Sequence, residues 1–354
     1  MPDFPCTATL DRQAWFAAME ACFAAGSPHP DEVEQHSFHI GGLLLRLRFA
    51  GCRAQRIVCP AFEHLASREP AAEPDFTIQI FSQSDSPLPL PPPPATLRDF
   101  SPRGDIQGFN TVLLKVSYQA FGRILSACLL PERRAVVCYG DPDSIYNFER
   151  AAPLRPLLSW IMRSQGRQLV HAGAVALDGT GILLGGKGGS GKSNTALACL
   201  LGGLDFLSDD FCAVASQPEP TAYSLYATAR TRRSDFARLP DLARLADQSD
   251  LLPQDKELYY LAPTFPRQTV ASCRLKAILI PQVGTGRSIG LEPISSREAL
   301  LSLAPVTTSL IPDAGPEVLA NLGALVRALP AYRLHLGDDS AQIPGFIRAF
   351  LAAQ

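Results

Sequence analysis

The segment 181–201 constrains this chain most, because it combines an apolar run, a glycine-rich turn and the start of a helix. Gly186, Gly191, Lys192 and Ser193 satisfy the pattern G-x-x-x-x-G-K-[S/T], in the order strand, loop, helix that this pattern needs. Glycines allow backbone with φ above zero, so that N–H groups turn inward at the positive end of the helix dipole. The segment therefore predicts a phosphate-binding loop, with Lys192 on the β- and γ-phosphates and Ser193 on Mg²⁺.

The predicted ligands are ATP and Mg²⁺, held by the loop and by the first turn of the helix. Backbone N–H groups of such a loop surround the phosphates, and its lysine adds a positive charge. The residues expected to contact the nucleotide are Gly186, Lys187, Gly188, Gly189, Ser190, Gly191, Lys192, Ser193 and Asn194.

The composition excludes several other classes of protein. The 354 residues include 32 basic and 34 acidic side chains, so a broad face for binding nucleic acid is not expected. No apolar run approaches the length of a membrane span and the start does not resemble a secretion signal, so we expect a soluble, cytoplasmic protein without a membrane partner. The nine cysteines form no C-x-x-C pair, which argues against a zinc site or a disulfide framework.

The first 150 residues predict a strand-rich domain. An amphipathic helix at 10–25, capped by Asp11, comes first. A proline-rich stretch at 86–96 predicts an extended surface loop, because proline is excluded from central strands and helix interiors. A helix at 151–165 closes the region. The predicted strands are 39–49, 56–59, 76–81, 111–118, 124–130 and 135–139.

Two predicted strands, at 169–177 and 181–184, are joined by a short turn, so the glycine-rich loop follows an antiparallel hairpin. A helix at 192–201 and a strand at 205–214 come next. That strand contains the neighbouring acids Asp209 and Asp210, whose side chains would point to opposite faces unless the strand ends or bulges there. Because buried unpaired carboxylates are costly, the two acids predict a strand end with a function.

The rest of the chain predicts a continuation of the same α/β region. Ser295 and Glu298 have the spacing of a capping box, which opens a helix through residue 303. Further strands are predicted at 275–281 and 332–336, and further helices at 317–329 and 343–353.

Three segments resemble the HPr kinase/phosphorylase superfamily, specifically its HPr-kinase-like bacterial relatives that phosphorylate serine on peptides or proteins. They are 169–176 (LVHAGAVA), 186–193 (GKGGSGKS) and 207–211 (LSDDF), and the interval between Lys192 and the paired acids also matches. The resemblance to the catalytic core covers about residues 168–214. It implies an α/β fold, with a phosphate-loop kinase core at 151–354 entered through an antiparallel hairpin. The strand-rich domain at 1–150 has no assigned role, and substrate recognition is one candidate for it.

The resemblance also implies roles for the residues that match. Lys192 would contact the β- and γ-phosphates, while Ser193 and Asp210 would hold Mg²⁺. Asp209 would take the proton of the acceptor hydroxyl, and His171 would lie close to the transferred phosphate. The implied partner is a peptide or small protein bearing the serine, and the implied assembly is a homo-oligomer.

Two alternatives remain open at this point. The string from Lys187 to Ser193 also fits the phosphate loop K-G-G-x-G-K-[S/T] of partitioning and arsenite-pump ATPases, in which the extra lysine reaches across a dimer. The predicted hairpin and the paired acids favour the kinase. The other alternative is a nucleotide-binding module without catalysis.

One feature of the HPr kinases is missing from the sequence. Their glycine-containing signature with Glu and Arg, downstream of the paired acids, is replaced here by 224–233 (SLYATARTRR). Arg230, Arg232 and Arg233 in this segment could contact a phosphate or an acidic peptide, but the pattern favours a solvated basic turn.

Overall fold

The computed structural model describes residues 11–27, 33–69, 72–92, 101–106, 108–232, 256–284, 288–337 and 339–353. These residues form a mixed α/β structure with two large sheets. Its helices are α1 (Arg12–Gly26), α2 (Cys52–Val58), α3 (Asn147–Ala151), α4 (Arg155–Ser164), α5 (Lys192–Leu201), α6 (Ser296–Leu310), α7 (Pro316–Ala328) and α8 (Gln342–Ala352).

The strands of the first half form a six-stranded sheet in the order β1-β2-β3-β6-β5-β4. These strands are β1 (Glu34–Ile40), β2 (Leu43–Ala50), β3 (Phe76–Ser82), β4 (Leu114–Gln119), β5 (Ile124–Leu129) and β6 (Arg134–Tyr139).

The strands of the second half belong mostly to a nine-stranded sheet. These strands are β7 (Gln168–Val170), β8 (Gly173–Leu177), β9 (Thr180–Leu184), β10 (Asp205–Ser208), β11 (Cys212–Ala215), β12 (Thr221–Ser224), β13 (Thr228–Thr231), β14 (Glu257–Tyr260), β15 (Ser272–Val283), β16 (Gly290–Ile294) and β17 (Ala331–Leu336). The order is β10-β8-β9-β15-β12-β11-β7, and β17 and β16 continue from β15. The short strands β13 and β14 pair separately.

Local signals in the sequence correctly located the starts of two helices. Asp11 caps α1, and its carboxylate accepts the backbone N–H groups of Gln13 and Ala14. The capping box of Ser295 and Glu298 is present at the start of α6, although this helix continues past residue 303 to Leu310. These ends depend on contacts within one turn, which is why the sequence alone reveals them.

The strand predicted at 56–59 is wrong, because this segment is helical. It spans the end of α2 and the start of a 3₁₀ helix, Cys59–Leu65. Apolar residues recur every three or four positions there, which places them on one buried face of a helix. The buried residues are Ala54, Ile57, Val58, Ala61, Phe62 and Leu65.

The strand predicted at 39–49 is two strands. Gly41 and Gly42 have φ of 59° and 77°, a conformation that glycine adopts without strain. They form the turn between β1 and β2, which pair antiparallel from Glu34 opposite Phe49 to Ile40 opposite Leu43. The chain therefore reverses inside the predicted strand.

The long strand β15 organises the second sheet. One edge of β15 pairs in parallel with β9, the strand that leads into the glycine-rich loop. Its other edge pairs antiparallel with β12 and then in parallel with β17. The other neighbour of β9 is β8, which pairs with it antiparallel from Gly173 opposite Leu184 to Leu177 opposite Thr180. The loop thus begins between an antiparallel and a parallel neighbour.

The two halves of the chain share a hydrophobic core. One buried cluster includes residues of the first sheet, of α4 and of the second sheet. The rings of Phe62 and Tyr226 lie 5.5 Å apart, and the Ala227 N–H donates to the Ala61 carbonyl at 3.0 Å. The helical segment before β3 therefore packs directly against the chain that leads into β13. The division into domains at residue 150 stays a prediction.

Some predictions fall partly or wholly outside the described residues. Residues 86–92 of the proline-rich stretch form neither helix nor strand, and 93–96 lie outside the described ranges, as do Arg233 and Cys6. Within those ranges every cysteine is a free thiol, and no helix has the length and apolar character needed to cross a membrane.

Candidate functional site

The site lies at an interruption in one antiparallel ladder. Val170 of β7 pairs with Cys212 of β11, and Ala174 of β8 pairs with Ser208 of β10, in the same register on both sides of the interruption. Between these pairs, the ladder opens at 171–173 and 209–211. The strands predicted at 169–177 and 205–214 are therefore each broken in two.

A serine holds the opening in place. The Ser208 hydroxyl donates to the Ala172 carbonyl at 3.2 Å, and the Asp210 backbone N–H donates to the Ser208 hydroxyl oxygen at 3.2 Å. Buried backbone groups need hydrogen-bond partners. The Ser208 hydroxyl supplies partners for the Ala172 carbonyl and the Asp210 N–H, which have no ladder bonds at the break. Both acids consequently follow the end of a strand, which is what the adjacent carboxylates predicted.

Asp210 is held between two basic side chains that come from different elements. His171 Nε2 lies 2.7 Å from Asp210 Oδ1, and Arg230 Nη2 donates to Asp210 Oδ2 at 2.9 Å. Burial alone would raise the pKa of Asp210, but the His171 hydrogen bond and the nearby charges of His171 and Arg230 lower this pKa well below its usual range. Asp210 is therefore ionised at neutral pH.

Asp209 has a different environment although it is the next residue. Its side chain is buried, and the Arg230 backbone N–H lies 3.5 Å from Asp209 Oδ2, at the long limit for a hydrogen bond. Burial and the negative charge of Asp210 raise the pKa of Asp209 to about 7. Neighbouring carboxyl groups with opposite pKa shifts can take different chemical roles.

The glycine-rich loop, residues 185–191, has the backbone that its composition predicts. Gly186, Gly189 and Gly191 have φ of 130°, 79° and 105°, which glycine alone adopts readily. The Gly185 N–H donates to the Leu279 carbonyl of β15 at 2.9 Å, and this bond anchors the first residue of the loop to the sheet.

Lys192, the first residue of α5, points back into its own loop. Its ammonium group donates to the carbonyls of Gly186 at 2.7 Å and Lys187 at 3.3 Å. Burial lowers the pKa of Lys192, while the charges of Asp210 and Asp209 act in the opposite direction. Lys192 is thus close enough to the opening in the ladder to interact with both acids.

The other predicted nucleotide contacts lie along the outside of the loop. The side of the loop formed by Lys187, Gly188 and Gly189 is exposed, whereas Ser190, Ser193 and Asn194 are partly buried. Lys187 therefore lies at the exposed tip and outside the cluster of buried charges. No group of three or more His, Cys, Asp or Glu side chains that could hold a metal occurs in the part of the chain that the structure describes.

Two sequence-based interpretations need correction. Arg230 is not part of a solvated basic turn, because it lies on β13 and its side chain is 16% exposed against Asp210. Arg230 also lies over the ring of Phe148, with its Cζ 4.7 Å from the centroid. His171 lies in the break between β7 and β8 rather than on a hairpin strand, and a carboxylate is its partner.

Sequence reasoning missed Arg155. The helix predicted at 151–165 begins later than expected, as α4 at Arg155, and Leu154 before it has a left-handed conformation. Arg155 is the first residue of α4, 5% exposed, and its Nη2 lies 3.1 Å from Glu149 Oε1. The signal available in the sequence was a charged residue at the start of an otherwise apolar helix, which could have indicated that Arg155 is buried.

Comparisons with known proteins add little to this geometry. No protein-family model and no curated protein sequence matches the chain. Among solved structures, the Hpr(Ser) kinase/phosphatase from Coxiella burnetii is similar, with 11% sequence identity, 52% of this chain and 95% of that chain covered, and a TM-score of 0.29. A score of this size carries no argument, so the functional assignment depends on the residues of the site.

The unlike environments of the paired acids predict opposite effects on stability. Folding raises the pKa of Asp209, so protonated Asp209 stabilises the folded state. This contribution to the free energy of unfolding is complete below the usual pKa of 3.8, and it is lost as the pH rises through about 7. Asp209→Asn should therefore unfold at a higher denaturant concentration than the wild type at pH 8, and this advantage should shrink toward pH 4.

Asp210→Asn is the matched variant. It removes the carboxylate that accepts from His171 and Arg230, so it should lower the free energy of unfolding at pH 8. Urea denaturation followed by circular dichroism at both pH values measures the two effects. A loss of stability at pH 8 in Asp209→Asn as large as that in Asp210→Asn would contradict the account of the site.

Proposed function

We propose that this chain is an ATP-dependent kinase that transfers a phosphoryl group to a serine hydroxyl on a peptide or small protein. The observation that supports this proposal best is that Lys192, held by its glycine-rich loop, interacts electrostatically with two unlike carboxylates at an opening of the sheet. Phosphoryl transfer needs mainly positioning, charge neutralisation and a carboxylate near the nucleophile.

The residues of the loop fit a nucleotide phosphate. The Lys192 ammonium group binds two carbonyl oxygens of its own loop, which are partners that a phosphate oxygen can replace. Three glycines with positive φ leave the backbone N–H groups without side chains over them. The backbone N–H groups of the loop would thus surround the β- and γ-phosphates, and Lys192 would add a positive charge.

Asp210 is proposed to hold a magnesium ion together with Ser193 from the first turn of α5. Each oxygen of the Asp210 carboxylate has one partner, and a carboxylate oxygen has a second lone pair that can bind a cation. Oxygen ligands of this kind suit Mg²⁺, which usually retains several waters and also binds the phosphates. The ion would supply neutralisation of the negative charge that develops during transfer.

Asp209 is the residue proposed to act on the acceptor. Its pKa near neutrality suits a group that accepts a proton from a hydroxyl at physiological pH. His171 and Arg230 keep the neighbouring Asp210 ionised, so the two carboxyl groups need not share a role. Arg230 also brings a positive charge to the opening, where the transferred group would lie close to His171.

The alternative of a dimeric ATPase with a second lysine has less support. Strand β9 enters the loop with an antiparallel neighbour, β8, whereas those ATPases place this loop in a parallel sheet. The exposed Lys187 is compatible with either function, so it provides a test. A non-catalytic nucleotide-binding module would not need Asp209 at all.

The two loop lysines give a matched pair of variants. Lys192→Ala should weaken Mg-ATP binding about 10- to 100-fold, because a hydrogen bond to a charged group contributes about 1.5–3 kcal/mol. Lys187→Ala should change the affinity by no more than about twofold, as expected for an exposed charge in water. Isothermal titration calorimetry on both folded variants measures this difference.

The same pair distinguishes the kinase from the dimeric ATPase. Equal losses of turnover in Lys187→Ala and Lys192→Ala, together with dimerisation that depends on ATP, would rule out the kinase. Unchanged ATP affinity in folded Lys192→Ala would remove the loop from the mechanism.

The paired acids should separate binding from chemistry. Asp210→Asn should weaken the binding of nucleotide with Mg²⁺, and a higher Mg²⁺ concentration should restore part of it. Asp209→Asn should bind Mg-ATP normally and lose phosphoryl transfer by roughly 10²- to 10⁴-fold, as other positioned bases do. Calorimetry and single-turnover transfer to serine peptides measure the two quantities.

If Asp209→Asn weakens binding of the metal and Asp210→Asn loses only phosphoryl transfer, the roles assigned to the two acids are reversed. If neither variant affects the phosphorylation of any serine peptide that the wild type modifies, the acids do not take part in catalysis.

A further inference from the structure

Arg155 is a buried cation with more donors than partners. Its side chain is 6% exposed, and Glu149 is its ion-pair partner. The Nε and Nη1 groups of Arg155 are buried and have no hydrogen-bond partner. Leaving donors of a charged group unpaired in the interior costs free energy, and an apolar side chain of similar volume would often be more stable there. A purely structural role therefore does not explain an arginine at this position.

The contacts of Arg155 lead to the centre of the proposed site. Its Cζ lies 4.3 Å from the ring centroid of Phe148 and 5.3 Å from that of Phe211. Phe148 also supports Arg230, whose Cζ is 4.7 Å from the same centroid. Phe211 meets the ring of His171 edge to face, with the centroids 5.2 Å apart.

Each aromatic ring thus connects Arg155 to one of the two partners of Asp210. Together, Arg155, Phe148, Arg230, Asp210, His171 and Phe211 form a closed cycle of contacts.

We infer that Arg155 is a positioning residue, which holds the rings of Phe148 and Phe211 so that Arg230 and His171 keep the Asp210 carboxylate in place. Among the described residues, Arg155 forms no hydrogen bond or ion pair with Arg230 or with His171. The consequence for phosphoryl transfer rests on the proposed function, whereas the arrangement of the side chains does not.

The shape of the guanidinium group explains why arginine suits this position. A planar, weakly hydrated cation can lie against aromatic faces. The compact ammonium of a lysine has the same charge but cannot cover two rings at once. Arg155→Lys should therefore preserve the ion pair with Glu149 and release at least one ring.

The test compares stability, side-chain position and turnover. The variant Arg155→Met with Glu149→Gln replaces the buried ion pair with neutral side chains of similar size, so it should unfold at about the temperature of the wild type. In the ¹³C-histidine NMR spectrum without nucleotide, the His171 ring resonance should nevertheless shift, because Phe211 changes its orientation. The rate constant kcat should fall roughly 10- to 100-fold, as misplacement of a catalytic group does, with KM for ATP changed much less.

Arg155→Lys and Arg274→Met are the companion variants. Arg155→Lys should show the same shift of His171 and the same fall in kcat, and it covers the case in which the double variant does not fold. Arg274 is about half exposed and pairs loosely with Glu219 at 3.8 Å, so Arg274→Met should behave as the wild type.

The outcomes separate this inference from the proposed function. A folded Arg155 variant with the wild-type His171 resonance and the wild-type kcat would overturn the positioning role. If the wild type transfers no phosphoryl group, the proposed function fails, and the His171 resonance alone still decides whether Arg155 positions the site.

Discussion

The site depends on the carboxylate of Asp210 and the two bonds that hold it. Its partners come from separate parts of the chain: His171 from the break between β7 and β8, and Arg230 from β13. The carboxylate is mostly buried, so the loss of His171 or of Arg230 would leave a poorly compensated negative charge in the interior. The register of the sheet brings the segment 171–173, which contains His171, opposite the segment 209–211, which contains the paired acids, because the same ladder continues on both sides of the opening.

This arrangement also sets the state of Asp209. Since Asp210 keeps its negative charge, the adjacent buried carboxyl group resists ionisation until about neutral pH. Lys192 lies near both acids, with its ammonium group bound to the loop that precedes α5. The opening therefore contains an ionised carboxylate and a carboxyl group close to its pKa, and a buried ammonium group interacts electrostatically with both. Carboxyl groups with such perturbed pKa values, together with a specific charge partner, mark a candidate functional site.

The sequence predicted the features of the site that depend on short stretches of chain. The glycine-rich loop, the start of α5 at Lys192 and the strand end at the paired acids follow from neighbouring residues. The broken strands, the partner of His171 and the burial of Arg230 depend on the pairing of β7 with β11 and of β13 with β14, which no local pattern encodes. The strand predicted at 56–59 failed for another reason, since a window of four residues covers only about one helical turn and cannot show that apolar residues recur every three or four positions.

The most direct test is whether a nucleotide bound by Lys192 lies beside His171. Mn²⁺ can take the place of Mg²⁺ with ATP, and its unpaired electrons broaden the NMR resonances of nearby nuclei. In ¹³C-histidine-labelled protein, Mn-ATP should broaden the His171 resonance and leave that of His39, on β1 of the other sheet, sharp. In Lys192→Ala the same broadening should require about 10- to 100-fold more Mn-ATP. Binding of Mn-ATP that leaves His171 sharp would show that the loop and the paired acids do not form one site.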